Sequence, residues 1–480
     1  MRQSEFSARA ASVILATMKA KSEDSRPAVS PARAAAFDIL IRVERESSYA
    51  SELLHSKTYN RLRALDHSLA TELVMGVLRW RSLLDSQIAA SSAQPLSKLD
   101  LEVLTCLRLA AYQFGWLSRI PARAAINESV ELVKRARKRS AAPFVNAVLR
   151  KLAVAVSPRG EGSEPANVNP SAESLAADSA HPLWLVERWS KAYGLDITRS
   201  ICQYNQMVPV TAIRLRRPEA EAQLLAEGIE LAPGAFLASA RRVQQGEVTG
   251  TAAFRAGLCV IQDEASQLVA ALIGYGARIL DCCAAPGGKT AAIADHNPNA
   301  NIIAVDLHPH RARLLRKLLS AHHPLEIETG NLRLLAADAR TLPFAAKFDR
   351  VLADVPCSGT GTLSRNPEIK WRLVPQDLAD LQIRQVAILR SAMSRVAPGG
   401  RLIYSTCSLE REENEDVIES SLANDSSFRI IACRTQLEQL RQEGELVWPD
   451  LSSLTHGPYL RTLPGVHPCD GFFAAILEKI

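Results

Sequence analysis

The chain has 480 residues, of which 47% are hydrophobic and 22% charged, and its formal net charge is +6. A chain of this length is too long for one compact core, so several domains are expected. No apolar run approaches the ~20 residues of a membrane-spanning helix, so we expect no membrane association, and the mild positive charge is compatible with a polyanionic partner without requiring one.

The first segment, residues 1–29, is predicted to be a disordered leader. A secretory signal would need a longer apolar region than its patch ASVILATM, and a small-residue cleavage site. The cysteines include no Cys-x-x-Cys pair, which argues against a disulfide framework and a zinc ribbon. They are Cys106, Cys202, Cys259, Cys282, Cys283, Cys357, Cys407, Cys433 and Cys469. We therefore expect reduced thiols, no metal and a cytoplasmic location.

An all-helical domain is predicted over residues 30–153. It opens at SPARAAAFDIL, where Ser30 can cap the first amides and Pro31 suits the first helical position. A second helix is expected behind the candidate caps Asp66 and Ser68, because apolar residues recur there at helical spacing. These residues are Leu69, Leu73, Val77, Trp80 and Leu84.

A basic stretch lies within this domain and consists of Lys134, Arg135, Arg137, Lys138 and Arg139. Two interpretations remain open. The stretch is either a solvated helix end or a patch that contacts phosphates.

Residues 154–180 are predicted to be a flexible linker, because they are rich in Ser, Pro, Gly and Ala and poor in large apolar side chains. Residues 181–250 then read as a small mixed subdomain. It starts with a helix at HPLWLVERWSKAYG and continues with the strand VTAIRLR.

From residue 251 to residue 480 strands alternate with helices, which predicts an α/β fold with a largely parallel, doubly wound sheet. Five strands end in polar residues: Asp281, Asp306, Asp338, Asp354 and Cys407. Ligands bind outside the carboxyl ends of the strands in such sheets. We therefore expect all five residues along one ligand-binding edge.

The glycine turn DCCAAPGGKT follows the first of these strands. Gly287 and Gly288 allow a ligand to approach the backbone closely, although the turn matches neither the dinucleotide nor the phosphate-loop pattern. Asp306 is placed to accept both ribose hydroxyls of a nucleoside, and Asp338 to accept the exocyclic amine of an adenine. An ordinary tight turn and helix-capping aspartates are the alternatives.

Cys357 and Cys407 end neighbouring strands and should face the same cleft. Each thiol alone is more often a small buried apolar residue. Two converging thiols indicate metal binding, a redox pair or covalent catalysis. The absence of histidine from both motifs argues against a metal, and the neighbouring nucleoside-binding features argue against a redox pair. Covalent catalysis remains.

The segment from residue 262 to the C-terminus resembles the S-adenosylmethionine-dependent RNA cytosine methyltransferases of the Sun/NOL/NOP family. The motifs that carry the resemblance are DCCAAPGGKT, AVDLHPHR, AADAR, DVPCSGTGTL, IYSTCSLEREEN and DGFF. The helical block resembles the NusB fold. This combination, with RNPEIKW, is similar to the Sun/RsmB type, which acts on 16S ribosomal RNA. The expected fold is therefore a Rossmann-like methyltransferase domain preceded by a NusB-like RNA-binding domain and a small α+β subdomain.

The resemblance also implies the roles of individual residues. Cys407 would attack carbon 6 of cytosine, Cys357 would assist product release, and Asp354, in its protonated form, would bond ring nitrogen 3. Lys289 would pair with a carboxylate or reach toward RNA. S-adenosylmethionine would be bound by Cys283, Ala284, Ala285, Pro286, Gly287, Gly288, Lys289, Asp306, Asp338 and Asp354.

The implied product is 5-methylcytosine in 16S ribosomal RNA, and the resemblance suggests cytosine 967. The expected substrate is an unassembled or partly assembled small subunit, and the expected enzyme is a monomer. Because the target base must leave its stack, looped or single-stranded RNA is favoured. The segment RNPEIKWR is predicted to offer Arg365, Lys370, Trp371 and Arg372 to this RNA from a loop.

Two further functions remain as alternatives. One is a cytosine methyltransferase acting on tRNA or DNA. The other is a noncatalytic RNA-binding or assembly protein with a degenerate methyltransferase fold, against which the intact cysteines, acids and glycine turn argue.

Overall fold

The computed structural model describes residues 29–156, 171–423 and 425–480. The chain divides into two compact units, with the division after residue 167. The predicted leader lies outside the described residues except for its last position, and so does the part of the predicted linker at 157–170.

The described part of the first unit is all-helical, as the apolar spacing predicts. Its α-helices are α1 (Pro31–Glu46), α2 (Ala50–Leu54), α3 (Ala64–Ser91), α4 (Leu101–Trp116), α5 (Ala122–Arg135) and α6 (Ala142–Ala155). Helix α3 begins at Ala64 with Arg63 at its N-cap, so the predicted caps Asp66 and Ser68 are wrong. Both residues lie in the first turns of the helix instead.

The core of this unit is apolar but includes three buried arginines, which are Arg33, Arg79 and Arg108. Arg33 donates a hydrogen bond to Gln113 at 2.8 Å and pairs with Glu128 at 2.9 Å. Since a buried cation is tolerated only when it is paired, these contacts fix α1 against α4 and α5.

The basic stretch at 134–139 carries acidic partners. Three of its side chains form ion pairs at 2.7–3.0 Å, which are Lys134 with Glu131, Arg135 with Asp38, and Lys138 with Asp100. Pairs as exposed as these contribute little to stability. They do neutralise part of the stretch, which favours the solvated helix end over a phosphate-contacting patch.

The second unit starts with three helices, α7 (Ala172–Asp178), α8 (Leu183–Tyr193) and α9 (Leu195–Gln206). Helix α7 lies inside the segment predicted to be a flexible linker, and this part of the prediction is corrected. The hydroxyl of Ser171 accepts a hydrogen bond from the amide of Ser174, and the hydroxyl of Ser174 accepts one from the amide of Ser171. This capping box, together with burial of Leu175, stabilises a helix in a segment of polar composition.

A four-stranded sheet in the order β2-β3-β1-β4 follows, with antiparallel pairing throughout. Its elements are β1 (Ala212–Leu215), α10 (Glu219–Ala226), β2 (Glu230–Pro233), β3 (Ala240–Gln245), α11 (Ala252–Arg255) and β4 (Cys259–Ile261). Strand β4 lies beyond residue 250, where the small subdomain was predicted to end. The edge strand of this sheet therefore comes from the segment assigned to the next domain.

The larger sheet has nine strands. Eight run in the order β11-β12-β13-β9-β8-β5-β6-β7, and β10 also pairs with β13. The strands are β5 (Arg278–Asp281), β6 (Asn301–Asp306), β7 (Leu332–Ala336), β8 (Phe348–Asp354), β9 (Val396–Thr406), β10 (Phe428–Ile431), β11 (Thr455–His456), β12 (Tyr459–Thr462) and β13 (Phe472–Lys479). Strands β7, β6, β5, β8 and β9 are parallel, whereas β13 is antiparallel to β9.

Helices accompany this sheet and cover its two faces with separate apolar clusters. They are α12 (Glu264–Ala271), α13 (Gly288–His296), α14 (Pro309–His322), α15 (Pro324–Glu328), α16 (Ile369–Arg372), α17 (Pro375–Met393), α18 (Glu415–Leu422) and α19 (Cys433–Gln442). The predicted doubly wound α/β architecture is confirmed. No helix in the described ranges has both the length and the hydropathy that crossing a bilayer requires.

Candidate active site

The polar strand ends meet at one edge of the large sheet, as the alternation of strands and helices predicts. Asp281 ends β5, Asp306 ends β6 and Asp354 ends β8, while Cys407 directly follows β9. Strands β5, β8 and β9 are neighbours, and Asp354 lies opposite Ser405 in the parallel register. The sheet therefore brings the acidic residues and the later cysteine together at its carboxyl edge.

The two predicted cysteines are in contact. The Sγ atoms of Cys357 and Cys407 lie 3.3 Å apart, and both side chains are half-buried. The neighbouring Cys407 thiol, together with burial, holds the pKa of Cys357 well above its usual range. The amide of Gly361 donates to the carbonyl of Cys407 at 2.9 Å, so the loops that carry the two thiols are also joined through the backbone.

Asp354 accepts hydrogen bonds on both carboxylate oxygens. Lys289 Nζ lies 2.7 Å from Oδ2, and the Ser405 hydroxyl lies 2.7 Å from Oδ1. Burial alone would lower the pKa of Lys289, but the Asp354 carboxylate outweighs burial and raises it. The structure thus answers one open question, because Lys289 pairs with a carboxylate.

The turn after β5 and the end of β6 form the candidate cofactor site. Asp306 accepts a hydrogen bond from the Ala285 amide at 3.3 Å and one from the His308 amide at 3.1 Å, each on a different oxygen. A carboxylate oxygen can accept two hydrogen bonds, so Asp306 keeps capacity for two hydroxyl donors. At Gly287, φ is +116° and an added Cβ would lie 2.7 Å from Leu315, so this turn requires glycine.

The remaining predicted cofactor residues fall in the same turn, at 283–289, or at the end of β8, except for Asp338. Asp338 lies two residues beyond β7, where its carboxylate accepts the Arg340 amide at 2.9 Å and pairs with the Arg340 guanidinium at 2.6 Å. The hydrogen bond from Arg340 lowers the pKa of Asp338. Asp338 therefore caps a short turn in this structure, and its contact with an adenine stays a prediction.

The prediction that RNPEIKWR offers four side chains to RNA from a loop is wrong for Lys370, which is buried, and wrong about the loop for Lys370, Trp371 and Arg372, which belong to helix α16. Arg365 is held between Asp470 at 2.7 Å and Asp263 at 3.0 Å. Lys370 is 1% exposed and belongs to helix α16. Arg365 instead joins the DGFF segment to the start of α12.

Helix α8 contacts the segment that follows Cys407. The indole of Trp189 donates to Glu410 at 2.9 Å, and Arg188 donates to Glu410 at 2.9 Å and also to Glu412. The Tyr193 hydroxyl donates to the carbonyl of Leu409. The helical layer of the second unit therefore holds the chain just beyond the candidate nucleophile.

Sequence reasoning missed one polar residue between the two cysteine loops. The side chain of Glu413 is fully buried and accepts hydrogen bonds from the Ser358 amide at 2.8 Å and from Gln385 at 2.9 Å. The hydroxyls of Ser358 and Ser408 also donate to it. The only signal in the sequence was its place in the motif EREEN, where it resembles an exposed acidic run.

A parallel five-strand sheet extended by an antiparallel strand, with a nucleoside-type turn and acidic strand ends at one edge, defines the protein as a methyltransferase of the Rossmann-like class. A solved structure titled as a methyltransferase homologue from Pyrococcus horikoshii has this fold, with a TM-score of 0.54 and 25% identity, over 65% of this chain and 100% of that one. The chain belongs to the RsmB/F family of 16S rRNA methyltransferases, whose profile matches residues 274–478.

Two relatives match nearly end to end. The probable ribosomal RNA small subunit methyltransferase B of Bacillus subtilis is 34% identical over 92% of this chain and 98% of its own length. The ribosomal RNA small subunit methyltransferase B of Pseudomonas putida is 31% identical over 95% of this chain and 98% of its own. The resemblance stated from the motifs is confirmed.

Two further profiles match the segments before the methyltransferase sheet. Residues 30–154 match the NusB family, and residues 181–248 match the ferredoxin-like domain of RsmF/B-like methyltransferases. The predicted fold class is therefore confirmed, with a NusB-like helical domain, a small α+β subdomain and a Rossmann-like methyltransferase domain.

Proposed function

We propose that this protein methylates carbon 5 of a cytosine in 16S ribosomal RNA through a transient bond between Cys407 and the base. The observation that carries the proposal is the 3.3 Å contact between Cys407 and Cys357, beside Asp354 and Lys289, at the ligand edge of a methyltransferase sheet. The names of the relatives, which refer to the small ribosomal subunit, supply the substrate class.

S-adenosylmethionine is the cofactor that the site fits. Asp306, with capacity for two hydroxyl donors, would hold the ribose, and the turn from Cys283 to Lys289 would lie at the methionine end, with Asp338 near the adenine and Asp354 beside the reacting centre. When bound, this cofactor supplies an electrophilic methyl group on a sulfonium.

Cys407 supplies the nucleophile that the ring requires. Carbon 5 of cytosine is too weak a nucleophile to be methylated unaided. When the Cys407 thiolate bonds to carbon 6, the electron pair of the carbon 5–carbon 6 double bond would move to carbon 5. Carbon 5 would then take the methyl group as the methyl–sulfur bond of the sulfonium breaks and its electron pair stays on the sulfur. Removal of the carbon 5 proton restores the double bond and expels the Cys407 thiolate, so the enzyme is regenerated.

Asp354 and Lys289 would stabilise the negative charge that this attack places on the ring. In the free site Asp354 pairs with Lys289. With the base bound, Asp354 would take the protonated form that the resemblance implies and donate a hydrogen bond to ring nitrogen 3. The ammonium group of Lys289, 2.7 Å from Asp354, supplies positive charge at the same point. Fixed charges in a site that excludes water stabilise a developing anion more strongly than water does.

Cys357 is assigned to product release. Its Sγ lies next to the sulfur that must leave carbon 6, and the raised pKa described above keeps it a thiol beside a Cys407 thiolate. Cys357 is therefore placed to assist the elimination step without competing for carbon 6.

The target cytosine must leave its stack to reach Cys407, so the substrate is RNA whose target lies in a loop or a single strand. We place this reaction in the cytoplasm, on a small subunit that is unassembled or partly assembled, with the protein acting as a monomer. Bisulfite sequencing of ribosomal RNA from cells with and without the gene identifies the nucleotide. Loss of the signal at cytosine 967 is the expected result, and an unchanged ribosomal RNA pattern would contradict the substrate assignment.

Single cysteine variants test the chemistry. We expect Cys407→Ala to abolish methylation and Cys357→Ala to accumulate RNA bound covalently to Cys407, visible as a slow band on a denaturing gel. Cys106→Ala, in the helical unit, is the control for loss of a buried cysteine and should form no adduct. Normal turnover by Cys407→Ala, with no adduct in Cys357→Ala, would show that the two roles are exchanged.

A further inference from the structure

Glu413 joins the two cysteine loops at the residue that follows each cysteine. Ser358, next to Cys357, donates two hydrogen bonds to the Glu413 carboxylate, one from its amide and one from its hydroxyl. Ser408, next to Cys407, donates one from its hydroxyl. Gln385 on α17 supplies the fourth donor and also binds the carbonyl of Pro356 at 3.0 Å. The Glu413 side chain therefore holds both loops through the residues that directly follow the two cysteines.

The chemistry of these contacts is unusual for a fully buried acid. All four donors to Glu413 come from uncharged groups, which are an amide, a carboxamide and two hydroxyls. Burying a carboxylate without a paired cation costs free energy that hydrogen bonds only partly return. Apolar residues could not accept these hydrogen bonds, and a glutamine has one acceptor oxygen instead of two, so the carboxylate both joins the loops and brings a negative charge beside the thiols.

The charges around the thiols are arranged asymmetrically. The negative charge of Glu413 opposes ionisation of Cys357, whereas the positive charge of Lys289 interacts favourably with an ionised Cys407. The other titratable groups that act on this cluster are Asp281, Cys283, Asp354 and Tyr404, and the Tyr404 hydroxyl also donates to the backbone carbonyl of Glu413. The charge of Glu413 therefore opposes loss of the proton from Cys357.

We propose that Glu413 is a positioning residue that locks the two cysteine loops in register and directs the shared proton to Cys357, leaving Cys407 as the thiolate. The inference rests on the proposed function, since it explains why Cys407 and not Cys357 attacks. It assigns a task to a residue that touches neither the base nor the cofactor site.

The test measures which thiol is ionised, in the full chain without RNA or cofactor. The reduced protein is treated with iodoacetamide from pH 6 to pH 10, and peptide mass spectrometry gives the labelling rates of Cys357 and Cys407. In the wild type Cys407 should label first. In Glu413→Gln, which keeps the shape and removes the charge, the labelling rate of Cys357 relative to Cys407 should rise about tenfold, equivalent to one pKa unit.

Two variants separate charge from general loosening. Glu415→Gln removes another buried carboxylate two residues away, one that pairs with Arg461, and should keep the wild-type labelling ratio. Glu413→Asp keeps the charge but shortens the side chain. It should therefore keep the preference for Cys407 while lowering kcat for RNA methylation at nearly unchanged KM. If Glu413→Gln does not fold, the labelling ratio of Glu413→Asp is the deciding measurement. Loss of the preferential labelling of Cys407 in Glu413→Asp would contradict the proposal.

The outcomes distinguish this inference from the proposed function. A wild-type labelling ratio and pH profile in folded Glu413→Gln would overturn the role of Glu413 and leave Cys407 as the nucleophile. Preferential labelling of Cys357 in the wild type, with an active Cys407→Ala, would instead overturn the proposed function.

Discussion

The ion pair between Lys289 and Asp354 gives the sharpest prediction about how the site is held together. At an Nζ–Oδ2 distance of 2.7 Å and an effective dielectric constant of about 20, the gross attraction is about 6 kcal/mol. The two side chains are only 14% and 24% exposed, so dehydration of both charges offsets much of this attraction. We expect a net coupling of about 2–3 kcal/mol.

A double-mutant cycle measures this coupling. Lys289→Met and Asp354→Asn each leave the other group without its charged partner, and the double variant removes both charges. Because two-state unfolding is not assured for a chain of two compact units, the free energy is best obtained from hydrogen exchange of the β8 and β9 amides. At pH 8 the pair contributes fully. The pKa of Lys289 is raised above 10.5, so this stability is lost only as the pH rises through that higher value.

A coupling below about 0.5 kcal/mol, the range of exposed surface pairs, would refute the view that Lys289 and Asp354 form a structural unit. The methylation rate of Lys289→Met is a second measurement, independent of stability. Lys289→Met should lower kcat about 100-fold, because it removes the cation nearest to the proposed anionic ring. Unchanged kcat together with strong coupling would restrict Lys289 to a structural role.

Three further predictions concern the rest of the site. Burial raises the pKa of Asp281 to about 7, so its folded carboxyl binds a proton more tightly than the unfolded one and the wild type loses stability as pH rises from about 4 to 7. The free energy of unfolding of Asp281→Asn relative to the wild type should therefore rise by about 2–3 kcal/mol between pH 5 and pH 8, as measured by hydrogen exchange of the β5 amides, and a pH-independent difference would contradict this. Gly361→Ala places a methyl group against the Gly471 carbonyl and should cost about 1–3 kcal/mol with loss of methylation, whereas wild-type melting would show that the loop can yield. Asp306→Ala should weaken S-adenosylmethionine binding about 10- to 100-fold in calorimetry, and unchanged affinity would remove Asp306 from the cofactor site.

The carboxyl edge of the large sheet could be predicted because its signals are local. Each strand is a short apolar run that ends in a polar residue, and parallel strands bring those ends together whatever the helices between them do. Asp306 and Asp354 could therefore be placed from the sequence, and the contact between Cys357 and Cys407 follows from the same rule.

The polar network beneath the thiols could not be predicted, because its partners are distant in sequence. Glu413 binds Ser358 across 55 residues, and Arg365 reaches Asp263 across 102. Charged residues in such motifs look exposed when only their neighbours are considered, and Lys370 was misjudged for this reason. Helix α7 was missed because its polar composition outweighed a cap that only the geometry of Ser171 reveals.

Strand β13, at residues 472–479, lies beside β9, the strand that leads to Cys407, and pairs with it from Phe473 to Glu478. Just before it, Gly471 donates its amide to Gly361 in the loop that carries Cys357. A polypeptide interrupted before this strand would contain every proposed reacting group, yet its β9 would present an open edge of the kind that recruits other chains. A shortened translation product is thus expected to be an aggregation-prone target for proteases rather than a weak enzyme.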